Sequence, residues 1–184
     1  DVKHLPGRPK TDRLDAVWLC KVAERQMLRA SFVPPPAIRR LRDLMRYRTD
    51  LVAVRTAEKQ RVEKLLEDAG VKLSVVASDI FGVSGRAMMA ALIAGERDPA
   101  RLADMALGRM RVKTALLEKA FVARFSEHHA FLLATMLRRV DTANDDIAAI
   151  DTHVAAVLDE ELHDAAARLM TIPGIGAVTA VAII

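Results

Sequence analysis

"LATMLRRVDTANDDIAAIDTHVAAV" (residues 133–157) decides the fold class of this chain, because its apolar residues recur at alternating spacings of three and four. Such a heptad seam is typical of a long helix that packs along another helix. With Ser126 as its cap, a helix from Ser126 to Leu158 would be about 50 Å long at about 1.5 Å per residue. The seam consists of Leu133, Met136, Val140, Ala143, Ile147, Ile150, Val154 and Val157.

A second long helix is predicted from about Ala37 to Ala69, with Gly70 as the glycine that ends it. Its similar length makes it the natural antiparallel partner of the first helix, and a second copy of the chain is the alternative. Its apolar stripe, interrupted by Arg48, Arg55 and Glu58, consists of Leu41, Leu44, Leu51, Val54, Val62 and Leu65. The chain is therefore predicted to be mainly α, built on long antiparallel coiled-coil helices.

Shorter elements are expected around these two helices. "SFVPPP" (residues 31–36) predicts an extended connector, because successive prolines exclude a helix. Residues 71–111 predict short helices, with Ser84 as a candidate cap, Gly95 as a helix end and Asp98-Pro99 as a helix start. "LSVVA" (residues 73–77) is compatible with a strand, but a helix is favoured. No stretch predicts a sheet.

Charge is distributed unevenly over the 184 residues, which carry a formal net charge of +4 and have a sequence pI of about 9.5. Residues 1–67 contain 16 Lys and Arg against 9 Asp and Glu, a net charge of +7, whereas residues 141–164 contain 8 acids and no Lys or Arg. A basic front favours a polyanionic partner along that part of the chain. The composition, 52% hydrophobic but 4% aromatic, suits helices better than a sandwich or barrel.

Cys20 is the single cysteine, so no intrachain disulfide is expected, which favours a reducing compartment such as the cytoplasm. No apolar run reaches transmembrane length and no signal peptide opens the sequence, so no membrane partner is expected. The missing initiating Met and the final "GAVTAVAII", which stops within a helical pattern, predict a fragment of a longer protein.

Asp12 and Asp15 lie three residues apart in "GRPKTDRLDAVWLC" (residues 7–20), where a helix should begin. Residues i and i+3 share a helix face, so both carboxylates can reach one point and offer the oxygen ligands that Mg²⁺ prefers. The alternative is structural: Thr11 or Asp12 caps the helix, and Asp15 favours its positive end. Two acids are fewer than the three or four of a two-metal nuclease site.

"TIPGIGAVTA" (residues 171–180) has the pattern of a helix-hairpin-helix turn. Gly174, Ile175 and Gly176 are candidate DNA contacts, because glycines let backbone N–H groups approach a phosphate without reading its sequence. A plain tight turn between two helices is the alternative.

The second long helix is rich in basic residues, and its candidate DNA contacts are Arg39 and Arg46; Lys10, in the basic run before Asp12, is another. The alternative is a solvated face with pairs such as Arg46–Asp50. The basic set of that helix is Arg39, Arg40, Arg42, Arg46, Arg48, Arg55, Lys59, Arg61 and Lys64.

No further catalytic motif is recognised. The histidines, His128 and His129 included, lack metal-ligand spacing with Cys20 and are interpreted as surface or cap residues. Ser84 in "GVSGR" has no identifiable partner histidine or acid, so no nucleophile is assigned in this chain.

Three stretches together resemble the DEDD-type insertion-sequence transposases, relatives of the pilin-gene invertases. They are "GRPKTDRLDA" (7–16), "PPPAIRRLRDLMRYRTDLVAVRTAEKQRVEKLLEDAGVKLSVVASDIFGVSGRAMMAALIAGERDP" (34–99) and "TIPGIGAVTA" (171–180). The resemblance implies the tail of an RNase H-like catalytic domain in residues 1–30, a linker in 31–36 and a helical coiled-coil domain in 37–163. Residues 164–184 would start a second transposase domain with the helix-hairpin-helix.

By this resemblance Asp12 and Asp15 match the last two acids of the catalytic tetrad and would be catalytic Mg²⁺ ligands. The first Asp and the Glu of the tetrad would precede Asp1, and the family's nucleophilic serine would follow Ile184, so this fragment alone is expected to be inactive. The intact enzyme would act in transposition by metal-assisted DNA cleavage and rejoining. Some members are guided by a structured RNA, which makes a guide RNA a further implied partner.

The coiled coil is expected to make the protein a homo-oligomer. The rival interpretation belongs to another class: a non-enzymatic coiled-coil module that binds nucleic acid, in which the aspartates only cap a helix and the hairpin only contacts phosphate.

Overall fold

The computed structural model describes residues 11–28 and 31–184, and every regular element in these two ranges is a helix. The chain divides into two units, residues 1–39 and residues 40–184. The mainly α fold class is therefore confirmed, whereas the four-part domain division stays a prediction. None of the described helices is long and apolar enough to cross a membrane.

The first unit contains helix α1, Asp12–Glu24, with Val22 as its buried residue. The helix predicted to begin near Asp12 is confirmed. Gln26 takes a left-handed backbone conformation with φ 57°, which ends the helical course. Residues 31–35 have no regular structure, as the prolines predict, and Pro36 starts the next helix at a position that tolerates a missing N–H.

Helix α2 is Pro36–Asp68, and its residues from Arg40 onward belong to the second unit. Seven further α-helices follow in the described chain, with a 3₁₀ segment at Gly108–Lys113. They are α3 Leu73–Val76, α4 Val83–Ile93, α5 Pro99–Asp104, α6 Thr114–Ala120, α7 Glu127–Val157, α8 Glu160–Met170 and α9 Ala177–Ile183. The two long helices predicted at 37–69 and 126–158 are thus confirmed, and "LSVVA" is helical as favoured.

Helices α2 and α7 run antiparallel beside each other in one chain. Arg48 contacts Asp151 and Arg55 contacts Asn144, so a step of seven residues forward on α2 matches seven backward on α7. The arrangement continues with Glu58 and Arg139, whose Oε1 and Nε lie 2.8 Å apart. The expected antiparallel partner is therefore found within the chain. Supercoiling of the pair stays a prediction.

Two apolar clusters hold the second unit together. The large core consists of Val62, Leu66, Ala69, Val71, Leu73, Ala77, Ile80, Met88, Met89, Leu92, Leu102, Ala103, Ala106, Leu117, Phe121, Phe125, Leu133 and Leu137. The small core consists of Leu41, Met45, Val154, Ala166, Ala180 and Val181. On α2, Met45 and Val62 are 17 residues apart, about 25 Å at about 1.5 Å per residue. The two cores therefore lie toward opposite ends of the α2–α7 pair.

Glycine ends α2 as predicted. Gly70 has φ +83°, its N–H donates to the Glu67 carbonyl, and the Val71 N–H donates to the Leu66 carbonyl. These two bonds are the Schellman pattern, which satisfies carbonyls that the helix end leaves open. The predicted start at Asp98-Pro99 is also confirmed, because the Asp98 carboxylate accepts from the Ala100 N–H and Pro99 is the first residue of α5.

The predicted role of Ser84 as a helix cap is wrong. The cap position of α4 is Gly82, and Ser84 lies inside the helix, where its buried hydroxyl accepts the Leu107 N–H at 2.9 Å. Gly85 next to it is required by space, because a Cβ there would lie 2.1 Å from the Ile80 carbonyl oxygen. Gly85 in "VSGR" therefore allows Ile80, which precedes α4, to pack closely against the helix.

The predicted seams lie on the correct helices but are wrong at single residues. Val54 and Val157 are each 48% exposed, whereas Met45, Leu66 and Leu137, which the predicted seams leave out, are buried. On α2, the polar residues Arg48, Arg55 and Glu58 occupy positions that face α7.

Candidate metal ligands and nucleic-acid interface

Asp12 and Asp15 lie in the first turn of α1, and Asp12 is its first residue. The cap position is Thr11, whose side chain makes no capping hydrogen bond, so the alternative in which Asp12 caps the helix is wrong. Asp12 is exposed and Asp15 is half-buried. Three residues apart on a helix, the two carboxylates share one face.

The two aspartates are not part of a larger cluster of described metal ligands. Residues 11–28 and 31–184 contain no group of three or more His, Cys, Asp or Glu that could hold a metal ion. Carboxylate oxygens are the ligands that Mg²⁺ takes, so Asp12 and Asp15 suit two of its six positions. The pair fits a divalent ion in chemistry but needs further ligands from outside the described residues.

The basic residues of α2 fall into two groups. In the first group, three arginines contact side chains within the second unit. Arg48 contacts Asp151, Arg55 contacts Asn144, and Arg61 contacts Glu58. Hydrogen bonding to Asp151 raises the pKa of Arg48 above its ordinary value. These three cations therefore take part in contacts within the second unit.

Arg46, in the first part of α2, is largely exposed. Its side chain is 75% exposed, and Nη2 lies 2.6 Å from Asp43 Oδ1 in a solvent-facing pair. Arg40 and Arg42 are exposed and form no ion pair with the described residues. Arg39, the last residue of the first unit, is exposed as well, and Lys10 lies outside the described residues.

The turn predicted to contact phosphate joins α8 and α9 through residues 171–176. Gly174 has φ +90°, a conformation that favours glycine, and a Cβ at Gly174 or Gly176 would meet nothing within 4 Å. Both glycines are exposed, whereas Ile175 packs against the small core. The backbone of the turn is therefore open to an approaching molecule, and Ile175 anchors it from inside.

Arg46 and this turn lie at the same end of the second unit. Arg42, Arg46 and Ala182 of α9 line one cleft of about 480 Å³. Ala182 lies near the C-terminal end of α9, and the turn directly precedes the N-terminal end. Because α9 has seven residues, these two ends are about 10 Å apart. Two of the predicted sets of DNA contacts are thus brought together around the small core.

Comparison with known proteins adds one finding to this geometry. Residues 2–70 match the model of the transposase family DEDD_Tnp_IS110. The resemblance drawn from the sequence is confirmed over these residues. No curated protein and no solved structure matches the chain significantly.

The matched residues contain Asp12, Asp15 and the whole of α2. The turn at residues 171–176 lies outside the match, so its assignment to a second transposase domain stays a prediction.

Sequence reasoning missed the polar contacts between the two long helices. Glu58 is 3% exposed, and its Oε1 accepts from Arg61 at 2.7 Å and Arg139 at 2.8 Å. Arg48, Arg55 and Glu58, which interrupt the apolar stripe of α2, are the residues that meet polar partners on α7. A polar residue in a seam was the available signal, but its partner can be named only once the register of the two helices is known.

Proposed function

We propose that this chain is part of a DNA transposase or recombinase that acts in insertion-sequence transposition by metal-assisted DNA cleavage and rejoining. The supporting observation is the transposase match over residues 2–70 together with two carboxylates, Asp12 and Asp15, one turn apart on a face of α1. The match supports the biological role, and the pair offers the oxygen donors that such chemistry uses.

In this proposal Asp12 and Asp15 hold Mg²⁺ together with acids from outside the described residues. When bound, Mg²⁺ supplies charge stabilisation at the phosphate whose bond is broken. Because both aspartates project from the first turn of one helix, α1 fixes the distance between them.

The nucleic acid would lie along the first part of α2 and the turn before α9. Arg39, Arg40, Arg42 and Arg46 would contact phosphates, and the exposed backbone at Gly174 and Gly176 would add contacts that read no sequence. Both DNA and a guide RNA present such phosphates. The α2–α7 pair would hold these contacts at a fixed spacing, and self-association would bring two such surfaces together.

The decisive experiment measures Mg²⁺-dependent DNA cleavage by the protein encoded in the complete reading frame. Asp12→Asn and Asp15→Asn should each lower the cleavage rate by more than about 100-fold, the most that loss of a residue merely supporting a metal ligand costs. Calorimetric titration with Mg²⁺ should show weaker binding. Glu24→Gln is the matched control, since it removes a carboxylate from the other end of α1, about 18 Å away.

Cleavage at the parent rate by both aspartate variants would remove the pair from the site. The rival function is a non-enzymatic nucleic-acid-binding module, and the exposed Arg40, Arg42 and open backbone at Gly174 favour it, because they can contact phosphate without a metal. That rival would gain further if the complete reading frame encoded no other acids on a strand pattern and the protein bound DNA without cutting it.

A further inference from the structure

A cleft of about 470 Å³ lies in the second unit between the chain that joins α3 to α4 and the 3₁₀ segment Gly108–Lys113. Two hydrogen bonds connect its two sides. The Lys113 ammonium donates to the Val76 carbonyl at 2.7 Å, and the Leu107 N–H donates to the Ser84 hydroxyl at 2.9 Å. These bonds hold the two sides together, so the cleft is a built feature of the fold near the large core.

Two cations line the cleft, Arg109 and Lys113. Arg109 is exposed and makes no hydrogen bond or ion pair with any described residue. Lys113 donates to the Val76 carbonyl, which is uncharged, and it forms no ion pair within the described ranges. Cations that have no acidic partner and share one cleft are typical of a site that binds an anion.

A buried hydroxyl adds a further donor to the cleft. Ser84 lines it and is 7% exposed. The Ser84 oxygen accepts from Leu107, and its own O–H group has no acceptor among the residues that the structure describes. A buried donor without an acceptor costs free energy, which an oxygen atom of a bound ligand would recover.

Helix α4, which has 11 residues, begins at the same cleft. Its cap residue Gly82 and its first residue Val83 both line the cleft, and no side chain caps the helix. The first N–H groups of a helix have no partner within it, and the positive end of the helix favours an anion. Cations, a hydroxyl and open backbone N–H groups together suit a phosphate group, whose anionic oxygens accept hydrogen bonds.

The acid in the lining, Asp79, opposes such a ligand. Its Oδ1 accepts the Phe81 N–H at 2.9 Å, so the backbone holds the carboxylate in place. The two cations outweigh this charge, but a bound anion would still be repelled by it. Removing the charge of Asp79 should therefore strengthen anion binding, which allows a test by gain of affinity.

We propose that this cleft binds a phosphate group, held by Arg109, Lys113 and the Ser84 hydroxyl at the start of α4. Val83 and Leu107, which are 77% and 50% exposed, form apolar walls beside these donors and can contact the carbon atoms of a phosphate ester. A nucleic-acid strand and free phosphate both present this group. The inference does not depend on the proposed function, because it uses only the cleft and its donors.

The test is a titration of the 184-residue chain with sodium phosphate, followed by the NMR resonances of the Val83, Ser84 and Leu107 backbone amides. Sodium chloride at the same ionic strength is the reference. The parent chain should show saturable shifts, and Arg109→Gln should raise the Kd by about tenfold, the effect of one hydrogen bond between charged groups. Arg111→Gln is the matched control and should change the Kd by no more than about twofold, because Arg111 is exposed in the same segment but does not line the cleft.

Asp79→Asn provides the second variant. It keeps an oxygen that can accept the Phe81 N–H but removes the repelling charge, so it should lower the Kd for phosphate by about threefold or more. A merely structural role of Asp79 does not predict this gain. Unchanged affinity in Asp79→Asn would contradict the proposal.

A second titration, with a single-stranded oligonucleotide, identifies the source of the phosphate. Shifts of the same amides, together with competition against inorganic phosphate, would assign the cleft to a nucleic-acid strand. Shifts with inorganic phosphate alone would assign it to free phosphate. The proposal would be overturned if neither ligand gave saturable shifts, or if Arg109→Gln and Arg111→Gln changed the Kd equally.

Discussion

At the scale of single residues, two glycines three positions apart show why residue type alone does not reveal a role. Gly82 and Gly85 both occur in "FGVSGR". In the structure Gly82 is the cap position of α4 with ordinary space around it, since the nearest atom to an added Cβ lies 3.5 Å away. Gly85 is buried against the Ile80 carbonyl, where no side chain fits.

This difference predicts unequal effects of the same substitution. Gly85→Ala should lower the free energy of unfolding by about 1–3 kcal/mol, because the added methyl group would force the backbone around Ile80 to move. Gly82→Ala is the control and should lower it less than Gly85→Ala does, because an added Cβ at Gly82 meets its nearest neighbour at an ordinary contact distance of 3.5 Å. Urea denaturation measures both, and equal effects would mean that the close approach at Gly85 relaxes without cost.

At the scale of elements, the sequence predicted both long helices closely because each carries a long periodic pattern with a recognisable end. Gly70 and Ser126 provided those ends, and the Ser126 N–H indeed donates to His129 Nδ1 at 3.1 Å at the start of α7. The exact buried residues were harder to predict. A seam residue faces the partner only in a given register, and here polar contacts between α2 and α7 help to fix that register.

The pair of Arg48 and Asp151 should therefore matter more than a surface pair. Its two hydrogen bonds measure 2.6 and 3.0 Å, and Arg48 is 18% exposed. A double-mutant cycle with Arg48→Gln and Asp151→Asn should give a coupling free energy of about 1–2 kcal/mol. The matched cycle at Arg46 and Asp43, which are 75% and 70% exposed, should give about 0.5 kcal/mol or less. Similar coupling in both cycles would show that the Arg48–Asp151 pair stabilises the chain no more than a solvent-facing pair does.

At the scale of the whole molecule, the candidate site was only partly predictable. The pairing of Asp12 with Asp15 follows from helical spacing, so the sequence sufficed for it. The availability of the basic residues did not follow, because four of the nine on α2 contact acidic or amide side chains within the second unit. The apolar groove lined by α7, α8 and α9 was missed altogether, because its shape depends on how these helices pack against one another.

The same reduction of the basic face leads to a prediction about nucleic-acid binding by the whole chain. Arg40 and Arg42 are exposed and form no ion pair with the described residues, so their charges can act on a phosphate backbone. Replacing each with Ala should reduce the slope of log K against log salt by about 0.9 for every duplex phosphate that the variant no longer neutralises. Lys64→Ala is the control, because Lys64 is also exposed but shares its surroundings with Glu63, Glu67 and Asp68. A salt slope that falls equally in all three variants would place the nucleic acid along the full length of α2, against the division that the helix pairing imposes.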